Sequence, residues 1–215
     1  MIQQITVAGQ SVNIVVLPTS PGFREVEWST SDAVAVNRSP FTGVTQTYTW
    51  PGADERSGTM TLPKLTTTQA GPWEAALMQC RGMSLPFLMG DPLHQKPLGN
   101  LQGSIPLVDN TASNQAGMTT LATKGWTPNK FRLLLPGDLV QVGYRLHTNL
   151  DAVNSDANGK AVLNLWPSLR EIPIDASALI LNKPMGLFRR ANNKQAWSST
   201  LGRLTSLSFQ IVEWR

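Results

Sequence analysis

The sequence predicts a mainly β protein, a sandwich or barrel with a single helix. Three observations carry this. Apolar and polar residues alternate with period two in several stretches, the mark of a half-buried antiparallel strand. Turn dipeptides, Pro21-Gly22, Pro51-Gly52, Pro136-Gly137 and Asn158-Gly159, punctuate those stretches at short intervals, as in sandwiches and barrels. Serine, threonine, asparagine and glutamine make up 61 of the 215 residues, while only 15% are charged, well below the roughly 25% of ordinary soluble domains. Such a composition favours strands and turns over exposed helices. It excludes a coiled coil, a charged disordered tail and a disulfide scaffold.

In chain order, the first alternation sets Val26 and Trp28 against Glu25 and Glu27. In the next, Val44, Gln46, Tyr48 and Trp50 form one face and Thr45, Thr47 and Thr49 the other. Then comes the only convincing helix, from about Thr68 to Arg81. Trp73, Ala76, Leu77 and Cys80 follow the i, i+3, i+4, i+7 spacing and form one apolar stripe for packing on a sheet. Thr68 or Gly71 is the expected N-cap, Pro72 suits a first turn, Arg81 complements the dipole and Gly82 stops the helix. Further on, Val140, Val142 and Tyr144 alternate with Gln141 and Gly143, and Leu163 and Leu165 flank Asn164. Leu207, Phe209 and Ile211 alternate with Ser208 and Gln210. From Lys96 to about Pro184 the chain reads as short strands joined by Gly, Pro and Asn turns, a compact second β unit resembling a small Greek-key barrel. Within it, 109–114 reads as an exposed loop.

The net charge is +4, with the basic residues scattered. The densest groups are Arg189, Arg190 and Lys194, then Lys124, Lys130 and Arg132. They read as a solvated surface rather than a nucleic-acid face. Cys80 has no partner for a disulfide. Met1-Ile2-Gln3-Gln4 has neither the basic start nor the apolar run of a signal peptide. Runs such as Ile14 to Leu17 and Leu133 to Leu135 are too short to span a bilayer. The expectation is a soluble protein made in a cytoplasm, without membrane insertion.

Candidate chemistry is sparse. Asn154-Ser155-Asp156-Ala157-Asn158-Gly159 imitates the front of a calcium loop, but Asn154 stands at the first position and Leu165 where a bidentate Glu is needed. A hairpin with Asn158-Gly159 in a type I′ turn is the better reading. His94 and His147 are too few for a Cys/His metal site. Cys80 sits on the buried stripe, where a thiol is inert. No G-x-S-x-G elbow, P-loop or G-x-G-x-x-G is present. No catalytic residue, metal or cofactor is expected. Trp28, Trp50, Trp73, Trp126, Trp166, Trp197 and Trp214 are many for this length. Most should fill the core, with a minority at an inter-subunit surface.

Two sets of segments carry a resemblance. One runs from Arg38-Ser39-Pro40-Phe41-Thr42-Gly43 and the Val44 to Trp50 strand through Met60-Thr61-Leu62-Pro63 and Gly71-Pro72-Trp73-Glu74-Ala75 to Phe87-Leu88-Met89-Gly90-Asp91-Pro92. The other runs from Gly125-Trp126 and Pro136-Gly137-Asp138-Leu139-Val140-Gln141 through Asn154 to Ala161 and Leu165-Trp166-Pro167-Ser168-Leu169-Arg170. It ends with Pro184-Met185-Gly186-Leu187-Phe188-Arg189 and the Trp197 to Glu213 tail. In order and spacing these resemble the distal tail proteins of long-tailed, non-contractile (siphovirus-type) phages and prophages.

The resemblance implies a virion structural protein of the tail tip, not an enzyme, made in the host bacterial cytoplasm. Such proteins form a homo-oligomeric ring, usually a hexamer. The ring joins the tail tube to the tail-tip hub and the receptor-binding parts, and lines the DNA exit path without binding nucleic acid specifically. It also implies a sandwich or split-barrel ring-forming domain, 1–92 completed by 186–215, with a small oligonucleotide/oligosaccharide-binding-like (OB-like) barrel inserted over 93–185. Strand periodicity suits edge pairing at Arg38, Phe41, Tyr48 and Trp50 and at Phe209 and Trp214, the expected oligomer interface. Other tail proteins, such as a tube or terminator protein, share the structural reading. A carbohydrate-binding module for host glycans and a nucleic-acid-binding barrel are the alternatives from other classes.

Overall fold

The structure, a computed structural model, describes residues 1–101, 103–110, 114–200 and 204–215. It is mainly β, with one helix. The strands are β1 (Ile2–Val7), β2 (Gln10–Val15), β3 (Glu25–Ser31), β4 (Val34–Arg38), β5 (Thr45–Thr49), β6 (Glu55–Thr61), β7 (Leu65–Thr66), β8 (Phe87–Met89), β9 (Leu107–Val108), β10 (Thr120–Lys124), β11 (Leu139–Val142), β12 (Arg145–Asn149), β13 (Ala161–Trp166), β14 (Gly186–Arg190), β15 (Trp197–Ser199) and β16 (Leu204–Glu213). The helix α1 spans Thr67–Gln79, between β7 and β8.

Among the described residues the strands form three sheets. The large one runs β1-β2-β8-β14-β16-β6-β3, with β7 and β15 also paired to β16. Its pairs are antiparallel except β2 with β8. A five-stranded sheet runs β11-β12-β13-β10-β9. Ala178 bridges Leu107 and Ile180 bridges Gln141, so one short segment touches both ends of that sheet. The third sheet is the β4–β5 hairpin alone.

β16 shows how a period of two builds the core. Leu207, Phe209 and Ile211 point into it, while Ser206, Ser208 and Gln210 face water. Phe209 lies opposite Met60 on β6 and beneath α1, whose stripe of Trp73, Ala76, Leu77 and Cys80 is fully buried against the sheet. Phe209 meets Phe23, Phe87 and Trp73 at centroid separations of 6.1, 6.3 and 6.4 Å. Burying each such side chain is worth about 2–3 kcal/mol. A second core, including Leu121, Leu133, Val140, Leu163, Leu165 and Leu181, fills the five-stranded sheet.

Several sequence expectations change. The helix is capped by Thr66, not Thr68 or Gly71. The Thr66 amide and hydroxyl both donate to Gln69 Oε1, at 3.1 and 3.0 Å, because a Gln three residues on can reach back. Pro72 therefore falls inside the helix rather than in its first turn, and the Thr68 carbonyl lacks its N–H partner. Thr68 is exposed, so water can satisfy it. The helix ends at Cys80, and Arg81 and Gly82 both turn left-handed, with φ of 48° and 69°. Arg81 thus lies past the last turn.

β11 is buried on both faces rather than half-buried. Gln141 survives there because its own amide is satisfied: Nε2 donates to the Gly143 carbonyl at 2.7 Å and Oε1 accepts the Met185 amide at 2.7 Å. The Asn158-Gly159 pair is not a type I′ turn, since only Gly159 has a positive φ. Asp156 Oδ1 instead accepts the Asn158 and Lys160 amides at 2.8 and 2.7 Å, an Asx-built loop. A Cβ on Gly159 would stand 2.3 Å from the Trp126 carbonyl oxygen, so glycine is required for the close approach as well as for φ. The loop expected at 109–114 is not simply exposed: Asp109 and Asn114 are buried, and Thr111 to Ser113 lie outside the described residues. Among the described residues no helix is long and apolar enough to cross a membrane.

Candidate functional site

Two regions hold most of the molecule's unusual side chains: the isolated hairpin, and a polar seam where the large and five-stranded sheets meet.

The hairpin is built locally. β4 and β5 pair in register from Val34 opposite Thr49 to Arg38 opposite Thr45. The Ser39 amide donates to the Val44 carbonyl at 2.9 Å and the Gly43 amide to the Ser39 carbonyl at 3.0 Å. Ser39 Oγ accepts the Phe41 and Thr42 amides at 3.4 and 3.3 Å, and Gly43 takes φ 71° to close the turn. Directly opposed residues share a face, so Val34, Val36, Arg38 and the three β5 threonines lie on one side and Ala35, Asn37, Gln46 and Tyr48 on the other. The expected half-burial of this strand is overturned. β5 is exposed on both faces, with Tyr48 54%, Trp50 54% and Phe41, at the tip, 96% exposed. An isolated two-stranded hairpin is marginal in water, and contiguous exposed apolar surface is the usual mark of an interaction site.

Arg38, Phe41, Tyr48 and Trp50 are therefore brought together on one accessible element. Phe209 is not with them. At 5% exposure it belongs to the core beneath α1, and its assignment to an interface is corrected: period two fits a central strand as well as an edge. Trp214 is half-buried in the seam, where the Arg145 guanidinium lies 5.4 Å over its ring and donates to its carbonyl oxygen.

The seam centres on Arg170. Its Nε and Nη2 donate to the two Glu213 oxygens at 3.1 and 2.7 Å, and Nη1 donates to Asp54 Oδ1 at 3.0 Å and to the Gly52 carbonyl at 2.7 Å. Ser168 adds its amide and hydroxyl to Asp54, at 2.5 and 2.7 Å. Both Arg170 and Glu213 side chains are 6% exposed. Burial alone would raise the Asp54 pKa, but Ser168 and Arg170 outweigh it and hold the carboxyl below its usual value. Burial likewise works against the Arg170 charge, and its bonds to Glu213 and Asp54 more than restore it. These contacts tie β16 and the Gly52–Asp54 turn to the stretch after β13.

Beside them, Arg56 of β6 lies between two indoles, 5.7 Å from the Trp28 ring centroid and 5.3 Å from that of Trp166, and donates to Thr148 Oγ1 at 2.5 Å. Burial brings its pKa down to about 10. The two indole N–H groups donate to Asp91 and Asp32 at 3.1 and 2.7 Å. Arg56 thus makes a cation–π contact with each of two half-buried indoles.

Remaining candidates are held structurally. His147 is buried, donates from Nδ1 to the Pro167 carbonyl at 2.8 Å, and burial lowers its pKa to about 4. His94 is exposed and contacts Asp91 at 2.8 Å. The Cys80 thiol is buried, lies 3.4 Å from the Ala76 carbonyl, and burial raises its pKa to about 11. The calcium-like segment spends its oxygens on backbone: Asn154 Oδ1 accepts the Arg132 amide at 2.8 Å, beside the Asp156 bonds above. Among the described residues no group of three or more His, Cys, Asp or Glu could hold a metal ion.

No protein-family model matches the chain, and no curated protein matches it. Sequence reasoning missed the seam, although a signal existed. Arg56 and Glu213 occupy inward positions in strands whose other inward residues are mostly apolar. Charges in that phase announce a buried partner.

Proposed function

We propose that this chain is a structural subunit of a phage tail tip, a distal tail protein that assembles into a homo-oligomeric ring, a hexamer. The observation that carries the reading is the β4–β5 hairpin, which pairs with no other described strand and exposes Val36, Phe41, Val44, Tyr48 and Trp50. A monomer gains nothing from such an element, whereas a ring subunit needs one. The low charge density fits surfaces that are buried on assembly, where Lys and Glu are disfavoured. In this reading the ring is non-enzymatic. It joins the tail tube to the tail-tip hub and the receptor-binding parts, and lets DNA pass.

The finer architecture belongs to the same proposal. We read the large sheet with α1 as the sandwich or split-barrel ring-forming unit, 1–92 with 186–215, and 93–185 as an inserted OB-like barrel. The bridges from Ala178 and Ile180 to opposite ends of the five-stranded sheet support a closed barrel. The seam supports a fixed angle between the two units. Light scattering over a concentration series, with negative-stain images, tests the function. Discrete oligomers with six-fold images are expected. A monomer at every concentration overturns the reading.

A further inference from the structure

A groove of about 440 Å³ opens where the large sheet meets the five-stranded one, within the roughly 300–1,000 Å³ of small-molecule sites. Trp28, Thr30 and Arg56 line it from β3 and β6, and Thr148 and Trp166 from β12 and β13. Asp32 and Asp91 lie on the same lining.

Apolar wall and unspent polar groups meet there. The two indoles are half-buried, and Leu150 beside them is 45% exposed. Each indole N–H is fixed by an aspartate, so the rings are set before any ligand arrives. Asp32 is exposed and accepts the Trp166 N–H through Oδ1 at 2.7 Å, while its Oδ2 accepts from no described residue. Arg56 is 6% exposed. Among the described residues its one hydrogen bond goes to Thr148, its Nε is buried without a partner, and it makes no ion pair. A guanidinium has five N–H donors, so most of this one is unspent. Buried donors normally find partners, and unspent ones on the lining of an open groove point to a ligand.

Chemistry narrows that ligand. Two carboxylates against one guanidinium disfavour an anion. An organic cation would need the space between the indoles, where Arg56 already lies. Among the described residues no group of three or more His, Cys, Asp or Glu could hold a metal ion. A wholly apolar ligand would cover Asp32 and Arg56 and leave them unpaired. A neutral, hydroxyl-rich ligand meets every group: its hydroxyls donate to the carboxylate and accept from the guanidinium, and its C–H face packs on indole and leucine.

We infer that this groove binds a neutral glycan, with Asp32 and Arg56 taking its hydroxyls and Trp166 and Leu150 its C–H face. Every residue of the groove comes from one copy of the chain, so the inference stands apart from the ring reading.

Saturation-transfer NMR tests it, with neutral trisaccharides of glucose, galactose and N-acetylglucosamine as probes beside trigalacturonate and choline. Transfer to at least one neutral trisaccharide is expected, and none to trigalacturonate or choline. Asp32→Asn keeps an acceptor for the Trp166 indole but loses the carboxylate, and should weaken that sugar about tenfold, the worth of one hydrogen bond to a charged group. Thr30→Arg, at an exposed position on the groove wall, should obstruct binding without touching Asp32. Trp50→Ala removes an exposed indole outside the groove and should change nothing. No transfer to any neutral trisaccharide, or stronger transfer to trigalacturonate or choline, overturns the inference. So does sugar binding that survives both groove variants or is lost in Trp50→Ala. A wild-type protein that stays monomeric yet binds the sugar overturns the ring reading alone.

Discussion

β5 and β16 carry the same kind of sequence and meet opposite fates. Val44, Gln46, Tyr48 and Trp50 alternate with threonines, and Leu207, Phe209 and Ile211 alternate with polar residues. β5 has one partner strand and water on both faces. β16 has a partner on each side and a helix on its inner face. Periodicity therefore specifies a strand and which residues share a face. It does not specify whether that face is covered, because the cover comes from residues far away in sequence: Trp73 for Phe209, and nothing within the described chain for Tyr48.

Mutations can break this contrast. The largest effect is expected from Phe209→Ala, which should cost about 4 kcal/mol by removing a buried ring from a packed site. Denaturant unfolding reads it, and a loss below 1 kcal/mol would mean that β16 is no more covered than β5. Glu213→Gln comes next. It leaves Arg170 buried with half its carboxylate support, and should cost about 3 kcal/mol. Arg170→Met with Glu213→Leu should recover much of that loss, since apolar replacements of buried ion pairs are tolerated.

The contrast can also be driven by pH. His147 is neutral in the fold, with a pKa of about 4 against 6.5 for the free side chain. The unfolded chain then binds the extra proton between those values. Stability is full above pH 6.5 and falls as pH drops toward 4, by about 3 kcal/mol if His147 acts alone. His147→Gln should flatten this slope in unfolding curves collected across that window. The smallest effect is expected at the hairpin, where Tyr48→Ala should change the stability of the monomer by less than about 0.5 kcal/mol. A larger loss would show that β5 is supported within its own chain.

Much of the fold was readable from residues. The alternations at Val26 and Trp28, at Leu163 and Leu165, and from Leu207 to Ile211 mark strands with the inward side correctly assigned. The helical stripe from Trp73 to Cys80 is buried as its spacing requires. What escaped depends on partners distant in sequence. Gln141 reads as a solvent-facing residue until Met185, 44 residues on, occupies its amide. Pro72 reads as a first-turn residue until Gln69 fixes the cap at Thr66. Of the expected interface residues, Tyr48 and Trp50 lie on the predicted alternation and Arg38 and Phe41 on the segment before it, all four on one exposed hairpin, while Phe209, chosen on the same periodicity, is buried. The seam left only a trace, inward charges without visible partners, since the Arg170–Asp54 contact spans 116 residues.

The order of strands in the large sheet has a consequence for biosynthesis. β1, β2 and β8 lie on one side of β14 and β16, and β6 and β3 on the other. Until residues 204–213 have been made, these two groups have no strand to join them. The five-stranded sheet draws on residues 107–166 alone, so it can form earlier on the ribosome. The large sheet must wait, with Met60 and Phe87 uncovered, in a nascent chain whose long-range contacts come late. During that interval exposed core residues and unpaired strand edges leave the nascent chain most open to aggregation.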